Sequence, residues 1–214
     1  MMNDPNRMYA PPAAPTGAEA QMLPVMADGV EYAGFGVRVG ARIIDSIVGM
    51  ILGGVGGAIG GAASVLVPMA SGGAGVGASQ SLGARTAASL LFGAAATLAY
   101  HTLSEGLGST TLGKLMLGLR VRRSDLAPCT VGAAFGRNLA YYIDSFFFGL
   151  VAYSSMSKSP RQQRLGDKWA HTVVVKSATL PAGVPAGNVG LAIALGTMAH
   201  VALSMAGVLS KLLF

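Results

Sequence analysis

Charged side chains at the mouths of long apolar segments are the residues of this chain that could do chemistry. Arg38, Arg42 and Asp45 stand at the start of an uncharged stretch, residues 46–84. Their spacings of four and three place all three side chains on one face of a helix. Ionised groups at the end of a membrane helix are costly unless they pair or reach the interface, and they often mark ion or proton paths.

A second set of charges repeats the first. Arg137 and Asp144 have the same spacing as Arg38 and Asp45, and both aspartates follow Ile and precede Ser. Two Leu-Gly-charge turns also recur, and they supply four candidate residues of a cytoplasmic motif: Gly113, Lys114, Gly166 and Asp167. If the repeat is real, the two arginines and two aspartates meet in the protein interior, where their formal charges cancel. Chance similarity between short matches is the alternative.

One further polar pair lies near the end of the second apolar segment. His101 and Glu105 are four residues apart, so their side chains are neighbours on a helix. They are candidates for an ion or proton relay. An interfacial polar pair, where the helix leaves the bilayer, is the commoner explanation of such a spacing.

Composition indicates a membrane protein. Charged residues are 11% of the 214 residues and apolar residues 52%, and the mean hydropathy is +0.55. Ordinary soluble domains contain about 25% charged residues. The net charge of +6 falls mainly in two short segments that flank apolar runs. Such clusters set membrane orientation and can hold anionic lipid headgroups. They lack the interleaved aromatics of a nucleic-acid site.

The elements that position these residues are predicted to form an all-α membrane protein, a bundle of about four transmembrane helices. The predicted helices are residues 37–62, 86–104, a third between Arg137 and Lys158, and 189–214. Basic residues flank the third segment on both sides, so it either crosses once with a tilt or returns as a re-entrant hairpin. We favour the single crossing because it is commoner.

The order of these segments predicts the domain organisation. Residues 1–31 form a Pro-rich disordered tail and residues 32–176 a membrane domain. Residues 177–188 form a Pro/Gly linker, and residues 189–214 form an additional C-terminal transmembrane helix. The charge pattern predicts a multi-pass protein of the inner membrane with a cytoplasmic N-terminus.

Two local patterns leave alternatives open. Gly49, Gly53, Gly57 and Gly61 form a groove along one face of the first helix. This groove favours close packing inside one subunit over a homodimer contact. The alternating leucines of residues 115–119 fit either a short strand or an interfacial amphipathic segment.

Four motifs, in order, carry a family resemblance: YAGFGVRVGARIIDS, TTLGKLMLGLRV, RNLAYYIDS and QRLGDKWAHTVVV. Together they resemble the RDD family of small bacterial integral membrane proteins, which is named for an arginine and two aspartates. By position, the arginine is Arg38 or Arg42 and the aspartates are Asp45 and Asp144. The family's glutamine before the Gly-Lys turn is missing here, and His171 replaces a usually small residue. A few relatives resemble sodium/proton antiporters, which implies Na+ or H+ as partners.

These observations predict a small cation- or proton-coupled transporter, or a transporter subunit, that uses intramembrane Arg/Asp pairs. A non-transporting protein that packs with partner membrane proteins or with its own copies is the alternative. Metal-spaced histidines, a phosphate loop and a nucleophile elbow are all missing from the sequence. We therefore expect neither enzymatic activity nor a cofactor or metal.

Overall fold

The computed structural model describes residues 29–70, 82–144 and 149–213. The predicted tail lies outside these ranges except at its end, and most of the loop at residues 71–83 lies outside them too. Glu31 is tied to the folded protein. Its N–H donates to Thr179 Oγ1 at 3.0 Å, and its carbonyl accepts the N–H of Lys176 at 2.9 Å.

Helices dominate the described ranges, and two short strands accompany them. In chain order the elements are α1 (Phe35–Ala70), α2 (Leu82–Gly108), α3 (Leu112–Met116), β1 (Leu119–Arg123), α4 (Val131–Leu139), α5 (Tyr141–Asp144), α6 (Leu150–Ser157), α7 (Leu165–Trp169), β2 (Thr172–Lys176) and α8 (Val189–Leu213). The fold is therefore mostly helical, as predicted, but it is not purely α.

Two stretches within the described ranges are long and apolar enough to cross a membrane: Phe35–Leu66 and Val189–Ser210. Only 17% of the most apolar window of each is buried, whereas the core helix of a soluble protein would be mostly buried. These helices therefore present apolar surface outward, as lipid-facing helices do. α2 has sufficient length, but its C-terminal half carries the buried polar side chains of His101, Thr102, Ser104 and Glu105. The predicted count of about four transmembrane helices is not confirmed.

Glycines let α1 approach α8 closely. A Cβ on Gly56 would lie 2.6 Å from the carbonyl oxygen of Val201, and one on Gly60 would lie 2.9 Å from that of Met205. Backbone atoms cannot yield to such contacts, so only glycine fits. Close packing therefore occurs within one chain, as predicted, but the predicted face is wrong in part. The closest contacts are at Gly56 and Gly60, whereas Gly57 and Gly61 of the predicted groove have nothing within 4 Å of their Cβ positions.

The two strands bring the two basic segments together. β1 and β2 pair antiparallel, with Val121 opposite Val174 at the centre of the ladder. Ser109, just after α2, accepts the N–H of Val121 at its carbonyl, and Tyr32, just before α1, bridges Val175. The start of α1 and the end of α2 therefore lie at the strand pair. Leu115 lies in α3 and Leu119 begins β1, so the leucine-rich segment divides between a helix and a strand.

The third apolar segment does not form one tilted helix. Its described residues are the end of α4, all of α5 and all of α6, with a break in the helix at Ala140, and the longest of these helices has nine residues. Nine helical residues extend about 14 Å, half of the roughly 30 Å of a bilayer core. Gly149, which precedes α6, has a left-handed φ of 83°. Because β1 and β2 are paired, the segment between them begins and ends on the same side of the protein. This arrangement favours the re-entrant alternative over the single tilted crossing, and the side of the membrane on which each end lies stays a prediction.

The repeat seen in the sequence is also present in the backbone structure. α3 and β1 have the same lengths and the same separation as α7 and β2. Ser109 and Gln162, which precede the two short helices, have φ values of 56° and 51°. Gly118 and His171, which follow them, have φ values of 64° and 49°. Such values are uncommon for residues other than glycine. Their recurrence at matched positions marks a structural repeat.

The close contact between α1 and α8 can be tested with neighbouring glycines. Gly56→Ala should lower the unfolding midpoint of the purified protein in detergent, because overpacking costs about 1–3 kcal/mol. Gly57→Ala is the matched control, because nothing lies within 4 Å of its Cβ position. A thermal melt that gives equal midpoints for both variants would contradict this packing.

The strand pairing predicts that both ends of the third apolar segment lie on the same side of the membrane. Single cysteines at the exposed positions Ser157 and Ser177, introduced after replacement of Cys129, should react with a membrane-impermeant thiol reagent from the same side of the membrane. Labelling of intact and inverted vesicles measures the side. Reaction from opposite sides would show that residues 138–157 cross the bilayer once.

Candidate functional site

Asp45 of α1 holds the N-terminus of α3. Its Oδ1 accepts the N–H of Gly113 at 2.8 Å and the hydroxyl of Tyr100 at 3.1 Å, and its Oδ2 accepts the hydroxyl of Thr111 at 2.6 Å. A carboxylate at a helix N-terminus is favourable because the free N–H groups carry partial positive charge. Gly113 has no room for a side chain, since a Cβ would collide with the carbonyl oxygen of Ala41.

Asp144 occupies the equivalent place in the second repeat. Its Oδ2 accepts the N–H of Gly166 at 3.3 Å and lies 4.0 Å from Nε of Arg164. A Cβ on Gly166 would lie 2.8 Å from the carbonyl oxygen of Arg137. The second carboxylate oxygen of Asp144 is buried and accepts no hydrogen bond from the described residues. The two aspartates thus have equivalent positions but unequal bonding.

Arg38 of α1 reaches across to the second repeat. Its Nη1 donates to Asp167 Oδ2 at 2.5 Å, and its Nη2 donates to the carbonyl of Gln162 at 2.7 Å. Its Nε donates to the carbonyl of Ala33 at 2.8 Å. All three nitrogens of the guanidinium group are therefore engaged, and the side chain is only 8% exposed.

Arg137 of α4 joins two buried acids. Its Nη2 donates to Asp167 Oδ1 at 2.7 Å, and its Nη1 donates to Glu105 Oε2 at 3.0 Å. Glu105 also accepts a hydrogen bond from Lys114 Nζ and another from Asn138 at 3.1 Å. Glu105 and Asp167 are both completely buried. The result is a chain of alternating charges, which we call the charge ladder: Lys114, Glu105, Arg137, Asp167 and Arg38.

The charge ladder shifts the pKa values of Asp167 and Lys114, its two members that lie outside the long helices. Burial alone would raise the pKa of Asp167, but Arg137, Arg164 and Arg38 outweigh it and hold that pKa well below its usual range. Burial lowers the pKa of Lys114, while Glu105 opposes the shift. Asp167 is therefore a permanent anion at neutral pH.

The predicted pairing of the arginines with the two repeat aspartates is wrong. Arg38 and Asp45 are seven residues apart, so about 10 Å of helix axis separates them. Each arginine instead reaches Asp167, and Arg137 also reaches Glu105. Arg42 was predicted to share one helix face with Arg38 and Asp45. Its guanidinium carbon lies over the ring of Tyr141, 3.9 Å from the ring centroid.

The candidate relay pair is separated by more than hydrogen-bond distance. Nδ1 of His101 lies 3.9 Å from Oε1 of Glu105 and has no hydrogen-bond partner among the described residues. Glu105 already accepts from three donors. The geometry makes Glu105 a member of the ladder, and its role in a relay stays a prediction.

Several site residues escaped sequence reasoning: Tyr100, Thr111, Asn138, Tyr141 and Arg164. One signal could have found two of them. Thr111 and Arg164 stand directly before the two Leu-Gly turns, so aligning the repeats places both at the ends of the short helices.

A cavity of about 380 Å³ borders this site. Charged side chains from both repeats contribute to its wall: Arg38, Arg42, Asp45, Lys114, Arg137, Asp144 and Arg164. The rest of the wall includes apolar residues such as Val39, Ile43 and Met156. Within the ranges described, no three His, Cys, Asp or Glu side chains are grouped as metal ligands would be.

Comparison with models of known protein families shows to which family this chain belongs. A sequence model described as the RDD family matches residues 32–171, which include every member of the ladder and both repeat aspartates. The chain belongs to the RDD family. This RDD protein is thus a membrane protein, as its exposed apolar helices indicate. We found no match among curated proteins or among solved structures. α8 lies outside the match and yet packs against α1.

Asp167 can be tested by removing its charge. Asp167→Asn leaves two buried guanidinium groups without their shared anion, and we expect a loss of about 3–5 kcal/mol in the free energy of unfolding. Asp125→Asn is the control, because its pair with Arg123 is half exposed and contributes at most about 1 kcal/mol. Denaturant unfolding in detergent measures both losses.

The difference in the free energy of unfolding between wild type and Asp167→Asn should depend on pH. The pKa of Asp167 in the folded protein is below the value of about 3.9 expected in the unfolded chain. The ionised carboxylate therefore stabilises the folded state at neutral pH, and this stabilisation is lost as the pH falls below about 4. The gap between wild type and Asp167→Asn should narrow in acid. A gap that stays constant with pH would mean that the lost stability does not come from charge.

Proposed function

We propose that this RDD protein is a small transporter of the inner membrane, coupled to protons or small cations, in which Asp144 is the exchanging group. The supporting observation is the unequal bonding of the two repeat aspartates. Asp144 keeps one buried oxygen without a hydrogen-bond partner among the described residues, and its side chain borders the cavity. A carboxylate oxygen in this state can accept a proton or bind a cation without first breaking a bond.

The other acids of the site are poorly suited to exchange. Both oxygens of Asp45 accept hydrogen bonds, three in all. Glu105 and Asp167 each bridge two cations of the charge ladder. Protonating any of these three acids would leave buried donors or cations unpaired, which is expensive. The ladder therefore acts as a fixed frame, and Asp144 is the member of the site that can change state.

The charge pattern supports an orientation. Lys114, Arg120, Arg122 and Arg123 lie at or next to β1, and Lys168 and Lys176 lie at or next to β2. Paired strands place both basic segments on one side, and the excess of basic residues assigns that side to the cytoplasm. The start of α1 lies at this side too, which supports the prediction of a cytoplasmic N-terminus. α8 begins beside Gly108, at the same side, so its C-terminal end reaches the opposite face.

Assembly with partner membrane proteins is the second candidate function. A specific observation favours it: Gly57 and Gly61 of α1 have nothing within 4 Å of their Cβ positions in the described protein, while their neighbours pack on α8. A second helix could approach this strip. In that case the ladder would only hold the helices together.

Transport can be measured with purified protein in liposomes that carry an internal pH dye. A sodium gradient should drive a pH change with wild type and with Asp125→Asn, and Asp144→Asn should abolish it. Equal incorporation and equal elution profiles in detergent serve as folding controls. Unchanged flux in Asp144→Asn would remove Asp144 from the mechanism. No flux from stable wild-type protein would instead favour the assembly function.

A further inference from the structure

The site carries one positive charge that its own acids do not neutralise. Its charged members are those of the cavity wall together with the two buried acids of the ladder, Glu105 and Asp167. Five of them are cationic: Arg38, Arg42, Lys114, Arg137 and Arg164. Four are acidic: Asp45, Glu105, Asp144 and Asp167. An uncompensated charge beside apolar helices is costly, so the site favours one added negative charge.

Arg42 is the cation that accounts for the excess. Arg38, Lys114, Arg137 and Arg164 all lie within 4.0 Å of a carboxylate oxygen. Arg42 has no such partner in the part of the chain that the structure describes, and its guanidinium group donates no hydrogen bond there. Its guanidinium carbon instead lies over the ring of Tyr141, 3.9 Å from the centroid. A guanidinium in a cation–π contact that donates no hydrogen bond keeps its N–H donors available for an anion.

A second guanidinium group converges on the same place. The guanidinium carbon of Arg164 lies 5.6 Å from the centroid of the Tyr141 ring, and its buried Nε forms no hydrogen bond with the described residues. Arg42 and Arg164 both border the cavity. Two arginines beside one aromatic ring match the planar, multidentate recognition of phosphate oxygens.

The residues around Arg42 suit the binding of a lipid better than the binding of a free ion. The neighbouring cavity residues on α1 are Val39 and Ile43, whose side chains are exposed. The exposed apolar surface continues along the same helix through Ile47, Met50 and Ile51. A polar cavity that opens onto a lipid-facing apolar surface suits a molecule with one anionic head and long apolar chains.

We infer that the cavity binds the phosphodiester headgroup of an anionic phospholipid, with Arg42 and Arg164 donating to the phosphate oxygens and the acyl chains lying along α1. A phosphodiester supplies the single negative charge that the site lacks. The inference concerns binding, and it stands whether or not the protein transports ions.

The test is lipid binding to the full-length protein in an uncharged detergent, measured by native mass spectrometry and by thermal shift. Phosphatidylglycerol should bind and raise the melting temperature, and phosphatidylcholine should do so much less. Arg42→Gln should weaken phosphatidylglycerol binding by about tenfold to a hundredfold, because hydrogen bonds to a charged group are lost. Arg42→Lys should restore part of it. Arg123→Gln, an exposed arginine that does not line the cavity, is the matched control and should bind as wild type does.

Three results would overturn the inference. Equal loss in Arg42→Gln and Arg123→Gln would mean diffuse surface attraction. Equal binding of phosphatidylcholine would mean ordinary lipid solvation. An equal thermal shift from inorganic phosphate would mean a site for the free anion.

Wild-type protein provides a test that does not depend on how the variants fold. Phosphatidylglycerol with a photoreactive headgroup should label residues 39–46 of α1. Labelling confined to other segments would also contradict the inference.

Discussion

The fold depends on a carboxylate that is entirely removed from water. Asp167 can remain ionised there only because guanidinium groups from two distant parts of the chain close around it. Arg38 comes from α1, and Arg137 comes from α4. Without Asp167, Arg38 would lose its anionic partner and Arg137 would keep only Glu105, and without the arginines burial would favour the neutral form of Asp167. This mutual requirement ties the first half of the protein to the second.

The two aspartates of the family pattern serve a different purpose from the arginine. Asp45 and Asp144 bind backbone N–H groups at the starts of α3 and α7, and they meet these helices through Gly113 and Gly166. Each glycine permits a contact between backbones that any side chain would block. The arginines therefore join the two repeats, while the aspartates fix α3 against α1 and α7 against α5.

The long helices and the family could be predicted from the sequence because the length of an apolar stretch and the order of short motifs are local properties. The helices predicted at residues 37–62 and 189–214 correspond to α1 and α8, although α1 begins and ends outside the predicted bounds. The partners of Arg38 and Arg137 were missed because they depend on long-range approach. No local pattern indicates that Asp167 will lie against α1. The broken helices of the third apolar segment and the common position of its ends were not predicted, because they depend on the pairing of β1 with β2, which the short runs LRVRR and TVVVK do not specify by themselves.

The register of that strand pair has a consequence for how such a chain could arise. Val121 and Val174 occupy equivalent positions in the two repeats, and they lie directly opposite each other in the pairing of β1 with β2. Every flanking pair is then related by an approximate twofold rotation about this point. A rotation of this kind is the symmetry of an isologous contact between identical subunits. A half-length chain with a single repeat would carry a self-complementary strand, and two such chains could join by the same hydrogen bonds before any fusion of their genes.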